Sequence, residues 1–220
     1  MDKIIKDVWN SDFAYGVGLI TTDGCLSPDK RHIEFSSKDL ELVTSFKKCF
    51  NLTNKICKKS RGGFPRKLYH RVQFGNVHLY KFLMSIGLSS RKSKIIKALQ
   101  IPDSIFADFL RGVIDGDGSI GYFMHPESKK KQFRIRIASA SKIFLEWLRI
   151  KLRVILKTKG SIKKYPRCYE LCYYKADSLK IANFIYYRKN LRSLKRKQNI
   201  ASLIKCESGE TGTRASLRSW

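Results

Sequence analysis

Asp23 and Asp117 occupy the same setting twice: each ends an apolar run and directly precedes a glycine, in GVGLITTDG (16–24) and LRGVIDGDG (110–118). They stand 94 positions apart (117 less 23), and Gly-x-x-x-x-Asp-Gly recurs at Gly18–Gly24 and Gly112–Gly118. One Asp-Gly after a helix is ordinary turn chemistry. Two copies with the same small-residue spacing point to a repeated unit. Two carboxylates held side by side repel each other unless a cation sits between them. Magnesium suits such a place, being hard, oxygen-seeking and usually shared with phosphate. Paired carboxylates holding divalent ions can hydrolyse a phosphodiester: metal ions supply an activated water and stabilise the leaving oxygen of an in-line displacement.

The elements around the aspartates must bring them together. Gly18 and Thr22 are four apart, as are Gly112 and Gly116, so each run forms a shallow groove on one helix face. Two such helices can pack backbone to backbone and bring their aspartate-bearing ends side by side. After each Asp-Gly the apolar period switches from helical to alternating. Strands are expected at Arg31–Ser36 and Phe133–Ala138, each followed by a helix, one N-capped by Asp39 and the other near Ser141. The offset there is 102, since Ile33 matches Ile135, and the extra residues are expected in the loop MHPESKKK. A second hairpin follows in each half, through the basic turns KKSRGGFPR and KTKGSIKKYPR into the alternating KLYHRVQF (67–74) and RCYELCYY (167–174). Helices VHLYKFLMSIGL and SLKIANFIYY close the halves, each ahead of an Arg-Lys pair, at Arg91 and Arg196. The fold class is therefore α+β, with α-β-β-α-β-β-α read twice. The break falls near Gln100–Ser104, giving an N-terminal repeat 1–100, a C-terminal repeat 101–206 and a flexible tail 207–220.

Composition narrows the partner. Among 220 residues, 45 Lys+Arg against 18 Asp+Glu leave a net charge of +27, which calls for a polyanion, above all nucleic acid. No apolar run reaches the roughly 18 residues of a membrane span, so no membrane role is expected. The first residues, MDKIIKDVWNSDF, are too polar for a secretory signal. The six cysteines show no paired zinc spacing and read as the reduced thiols of an intracellular protein.

The two copies resemble the LAGLIDADG motif, and the chain is similar to monomeric, two-repeat LAGLIDADG homing endonucleases. The second copy is close. The first has Thr21 where the motif's first aspartate stands and Thr22 where a smaller residue is usual, while the eighth position is Asp in both. The resemblance implies a pseudo-twofold pair of αββαββα units joined at the motif helices, each with an antiparallel sheet saddled on the DNA major groove. It implies a Mg2+-dependent enzyme, intron-encoded or free-standing, that cuts a long double-stranded DNA site and leaves short 3′ overhangs. Mn2+ is expected to substitute, and Ca2+ to bind without supporting cleavage. Asp23 and Asp117 would hold metal, with the backbone carbonyls of Thr22 and Gly116. A basic residue near each scissile phosphate would be Lys92 and Lys197, with Lys94 and Lys195 as rivals, and the polar second-strand positions would be Glu34 and Arg136.

Strand parity agrees with a DNA-facing surface. Tyr69, Arg71 and Gln73 share one face, and Arg134 and Arg136 another, opposite Phe133, Ile135 and Ile137. With Glu34, Lys163 and Arg167 these are the expected DNA contacts, arginines and Gln73 reading base edges and turn lysines holding phosphates. Two other functions fit the same surface: an intron RNA maturase, and a DNA-binding regulator that has lost its acids. Retention of both aspartates favours the endonuclease over the regulator.

Overall fold

The computed structural model describes residues 9–60, 68–90, 96–124, 127 and 129–203. The N-terminal half runs α1 (Ser11–Asp23), β1 (Gly24–Leu26), β2 (His32–Ser37), α2 (Leu40–Cys49), β3 (Cys57–Ser60), β4 (Leu68–Gly75) and α3 (Val77–Ser85). After a 3-10 turn at Asp103–Ile105, the C-terminal half repeats it: α4 (Phe106–Asp117), β5 (Gly118–Met124), β6 (Lys131–Ser139), α5 (Lys142–Leu156), β7 (Ser161–Lys164), β8 (Tyr169–Tyr174) and α6 (Lys175–Ile185). A last helix, α7, covers 195–203. Each half builds a four-stranded antiparallel sheet, in the orders β1-β2-β4-β3 and β5-β6-β8-β7. The architecture is the expected α+β pair of αββαββα units. The tail 207–220 lies outside the described residues.

Alternation decides which sheet face is covered. Ile33, Phe35, Val72 and Phe74 point inward, where Phe35 stacks on Phe46 of α2 at 4.5 Å between ring centroids. Ile135, Ile137, Leu171 and Tyr173 do the same beneath Phe144, Leu145, Leu148 and Leu152 of α5. Aromatic residues anchor the far end of each motif helix: Trp9, Phe13 and Phe82 mutually edge-on about α1, and Phe106, Phe109 and Trp147 about α4. Such pairs each add about 1 kcal/mol beyond the area they bury.

Three expectations need correction. The eight extra residues of the second half (102 less 94) do not enlarge a loop. They lengthen the first hairpin from the three pairs Gly24↔Phe35 to Leu26↔Ile33 to the seven pairs Gly118↔Ile137 to Met124↔Lys131. Ladder growth pairs backbone groups of the two strands with each other, whereas a longer loop would leave its own to water. Asp39 holds the N-cap position of α2, but its side chain makes no capping bond and instead pairs with Arg196 at 3.1 Å. α6 also begins at Lys175, three residues before the expected SLKIANFIYY. Ser141 does cap α5, accepting from the Phe144 amide, while its hydroxyl donates to the Ile96 carbonyl at 2.6 Å.

Candidate active site and nucleic-acid face

The helices α1 and α4 cross where both have glycine. A Cβ on Gly18 would sit 2.2 Å from the Phe109 carbonyl oxygen, and one on Gly112 equally close to that of Tyr15. No side chain fits there, because the neighbour is backbone and cannot swing aside. One turn on, Thr22 packs on Gly116, where an added Cβ would lie 2.0 Å from its hydroxyl oxygen. Thr22 therefore fills the room that Gly116 leaves, and the replacement of a small motif residue by threonine does not open the seam. Asp23 and Asp117 are the last helical residues, directly after this contact. Gly24 and Gly118 then take the chain straight into β1 and β5 with extended backbone, their amides bonded to the Ile20 and Ile114 carbonyls.

The seam thus sets two carboxylates at the C-terminal ends of two adjoining helices. A helix C-terminus carries partial negative charge and carbonyls with no partner inside the helix. Asp23 is half-buried and Asp117 exposed. Carboxylates and last-turn carbonyls form an all-oxygen donor set of the kind a hard divalent cation takes. This donor set is of the kind that fits Mg2+, and Asp23, Asp117 and the carbonyls of Thr22 and Gly116 are the groups that would hold it. Among the described residues no group of three or more His, Cys, Asp or Glu side chains is placed to bind a metal without such carbonyls.

Below the aspartates the C-terminal half is braced by buried polar groups. Lys197, 3% exposed, donates from its ammonium to the carbonyls of Ile114 (2.6 Å), Asp115 (2.9 Å) and Gly118 (2.7 Å). All three of its protons are taken, so it caps the end of α4 and does not stand open towards a phosphate, as the sequence had suggested. Burial lowers its pKa to about 8. Asp115 accepts from the Tyr15 hydroxyl across the seam at 2.8 Å and from the Leu194 amide at 2.7 Å, and burial raises its pKa. Arg111, fully buried, donates to Asp108 at 2.7 Å and to the carbonyls of Ile185 and Arg192. This network ties α4 to the 185–198 segment.

Lys92 and Lys94 lie outside the described residues. Lys195 is exposed and its amide donates to Glu41. The halves can nonetheless be matched at Gly87 (φ +107°) and Asn190 (φ +62°), each followed by a buried leucine, Leu88 and Leu191. That match sets Lys197 against Lys94, not Lys92.

The expected DNA contacts fall on the open faces of the two sheets, except Arg167, which stands in the turn between β7 and β8. Glu34 lies opposite Gln73, and Arg71 one step along, with Tyr69 beyond it. Glu34 bonds Lys59 at 2.7 Å and Arg71 at 3.3 Å. In the second sheet Arg134 lies over the Tyr174 ring at 5.0 Å, and Arg136 packs 3.4 Å above the Phe123 ring and pairs with Glu170 at 3.6 Å. Lys163 is opposite Glu170, and Arg167 is exposed in the turn closed by the Tyr165 amide on the Cys168 carbonyl. A cavity of about 600 Å³ joins this face to the seam, lined by Thr22, Asp23, Glu34, Lys38, Lys59 and Tyr69. Sequence reasoning missed Lys38, Lys59 and Glu170. Alternation could have placed Glu170 on the open face, but nothing in the sequence tells that Lys38 lines the same cavity as Asp23.

The LAGLIDADG-like domain model matches residues 12–87. A probable translation initiation factor IF-2 of Methanocaldococcus jannaschii is 28% identical over 204 residues, which cover 90% of this chain. The chain spans only 15% of the length of that curated relative. Among solved structures, the homing endonuclease I-WcaI bound to its DNA recognition sequence superposes with a TM-score of 0.61 at 14% identity, over 87% of this chain and 86% of that one. Full-length DUF199/WhiA from Thermatoga maritima gives 0.58 at 15% identity, over 96% and 69%. These likenesses are of fold. No described helix is long and apolar enough to cross a membrane.

Proposed function

We propose that this two-repeat LAGLIDADG protein is a monomeric, site-specific endonuclease that cuts both strands of a long DNA target with Mg2+. The observation that carries this reading is the glycine-to-glycine crossing of α1 and α4, which sets Asp23 and Asp117 together at the inner edges of two basic, antiparallel sheets. Each acid lies at the partly negative end of its helix, a position that favours cations over carboxylates. A bound divalent cation supplies an activated water and charge stabilisation for the leaving oxygen.

The chain's own residues do the rest. Asp23 and Asp117 hold the cation, with the Thr22 and Gly116 carbonyls. The open sheet faces fix the duplex, Arg71, Gln73, Arg134 and Arg136 against base edges and Lys163 and Arg167 against phosphates. Lys38 and Lys59 share the cavity of Asp23 and supply positive charge beside the strand cut there. The +27 net charge makes binding strongly salt-dependent through counterion release.

The test is selection on a randomised duplex library, with Mg2+, with Ca2+, and with Asp117→Asn. One long sequence cut on both strands, only by the intact chain with Mg2+, is the expected result. Tight binding of one duplex with no cutting in any condition would mean a DNA-binding regulator of the same fold. Preference for a structured RNA over every duplex would mean a maturase.

A further inference from the structure

The helix covering the second sheet turns an apolar stripe to solvent that its counterpart in the first half lacks. Asp39 and Ser141 hold the N-cap positions of α2 and α5, so Leu42, Val43 and Phe46 match Phe144, Leu145 and Leu148. These residues are buried and apolar in both halves. On the outer side, Glu41 and Lys48 of α2 match Ile143 and Ile150 of α5. α5 also has 15 residues against 10, and the added stretch 152–156 brings Val154 onto the same side. Ile143, Ile150 and Val154 stand 53%, 58% and 64% exposed. Exposed aliphatic residues scattered singly are ordinary, but three along one edge are a patch.

The three stand seven and four positions apart, the spacing at which one helix receives another. Arg149, Arg153 and Lys157 follow one another at four-residue steps and flank the stripe on one side. Among the described residues, no ion pair includes any of these three cations. A groove of about 730 Å³ is lined by Ile150, Val154 and the same cations, and runs on to Lys159 in the turn after the helix. The opposite side of α5 carries Leu145, Leu148 and Leu152 onto the covered face of the sheet. The stripe therefore looks away from the open faces and from the seam aspartates.

Charge and side-chain type decide what the stripe takes. Phosphate gains nothing from three aliphatic side chains, and bases stack on aromatic rings, none of which is among the exposed residues of α5. A second copy of this chain would set Arg149, Arg153 and Lys157 against their own equivalents, and like charges facing each other oppose association. Glu146 is the one acid of the helix and already pairs with Lys142 at 3.1 Å. We propose that the outer face of α5 docks an acidic amphipathic helix of a partner protein. The apolar edge of that helix covers Ile143, Ile150 and Val154, and its carboxylates pair with Arg149, Arg153 and Lys157. One helix laid on another makes a small interface, so docking is weak and salt-dependent. It leaves the open sheet faces free, so the partner and a duplex can be held at once.

The experiment titrates the full chain into a fluorescein-labelled helical peptide with leucine at heptad positions a and d and glutamate at e and g, whose like charges keep it from pairing with itself. A second peptide has lysine in place of each glutamate. The glutamate peptide should bind at least about tenfold tighter than the lysine peptide. The double variant Ile150→Ser with Val154→Ser should weaken it on the order of tenfold, with duplex affinity and cutting unchanged. Arg153→Gln, the second variant, should weaken the glutamate peptide and leave cutting unchanged as well. Attraction by the net charge alone would show as equal binding to the natural chain and the serine variant, and overturns the proposal. So does tighter binding of an RNA hairpin that the serine variant weakens, which makes the face a nucleic-acid site. A dimer in sedimentation that the serine variant abolishes makes it an interface between copies, and overturns the proposal too. None of these results bears on the endonuclease reading, which rests on cutting by the natural chain.

Discussion

The two motif helices meet through the same glycines yet bury opposite chemistry around them. At the matched positions along α1 and α4, Ala14 stands where the second half has Asp108, Val17 where it has Arg111, and Thr21 where it has Asp115. The N-terminal side of the seam is hydrocarbon closed by a threonine hydroxyl that bonds back to its own helix, at the Val17 carbonyl. The C-terminal side is a charged network reaching Tyr15, Asp108, Leu194 and Lys197. Close backbone approach at Gly18 and Gly112 fixes where the helix ends lie, and either filling can support it. Symmetry is therefore strict where the aspartates are placed and relaxed elsewhere.

That contrast can be broken in four ways, from the largest expected effect down. If the two acids are equivalent, Asp23→Asn and Asp117→Asn each lower double-strand cutting by at least about a hundredfold, while DNA affinity measured in Ca2+ stays within a few-fold. A variant that still cuts both strands at the natural rate would show one acid to be dispensable.

Seam symmetry predicts that Gly18→Ala and Gly112→Ala are equally harmful, each costing about 3 kcal/mol or more because backbone must move. Urea unfolding of the two variants measures this, and a cost below about 1 kcal/mol in either would mean the helices can separate there. Lys197→Met leaves the α4 end carbonyls without their donor and should cost about 2 kcal/mol at neutral pH. The same group carries a pH signature. Its folded pKa of about 8 lies below the ordinary 10.5, so across that window the unfolded chain holds a proton that the folded chain has released. Its burial cost is present below about 8 and disappears as pH rises, so stability should climb with pH between those values, and the Met variant should lose that climb. The smallest effect is Tyr15→Phe, which removes one bond to Asp115 and should cost about 1 kcal/mol in thermal unfolding; no change at all would detach Asp115 from the seam.

Much of this was legible in the chain. The repeated Gly-x-x-x-x-Asp-Gly marked the helices, the small residues four apart marked their contact, and period-two alternation marked which strand residues face out. These are local signals, carried by neighbours within one turn or one strand. Lys197 was legible only as a member of a repeated basic pair. Its burial depends on where the chain returns after α6, a contact across more than 80 positions. The extra residues were assigned to the loop because MHPESKKK looks like one, whereas the connection is no longer than in the first half and all eight are taken up by four added pairs of the ladder.

What the sequence by itself determined is the duplication, the α+β order, the pair of acids and the basic open faces, because each rests on spacing along the chain. Only the tertiary structure decided that Lys197 caps a helix, that Lys38 and Asp23 line one cavity, and that Glu34–Arg71 and Arg136–Glu170 are one pair with its signs exchanged. Those facts rest on strand register and on the packing of distant segments, where a charge meets its partner through space and sequence distance carries no information.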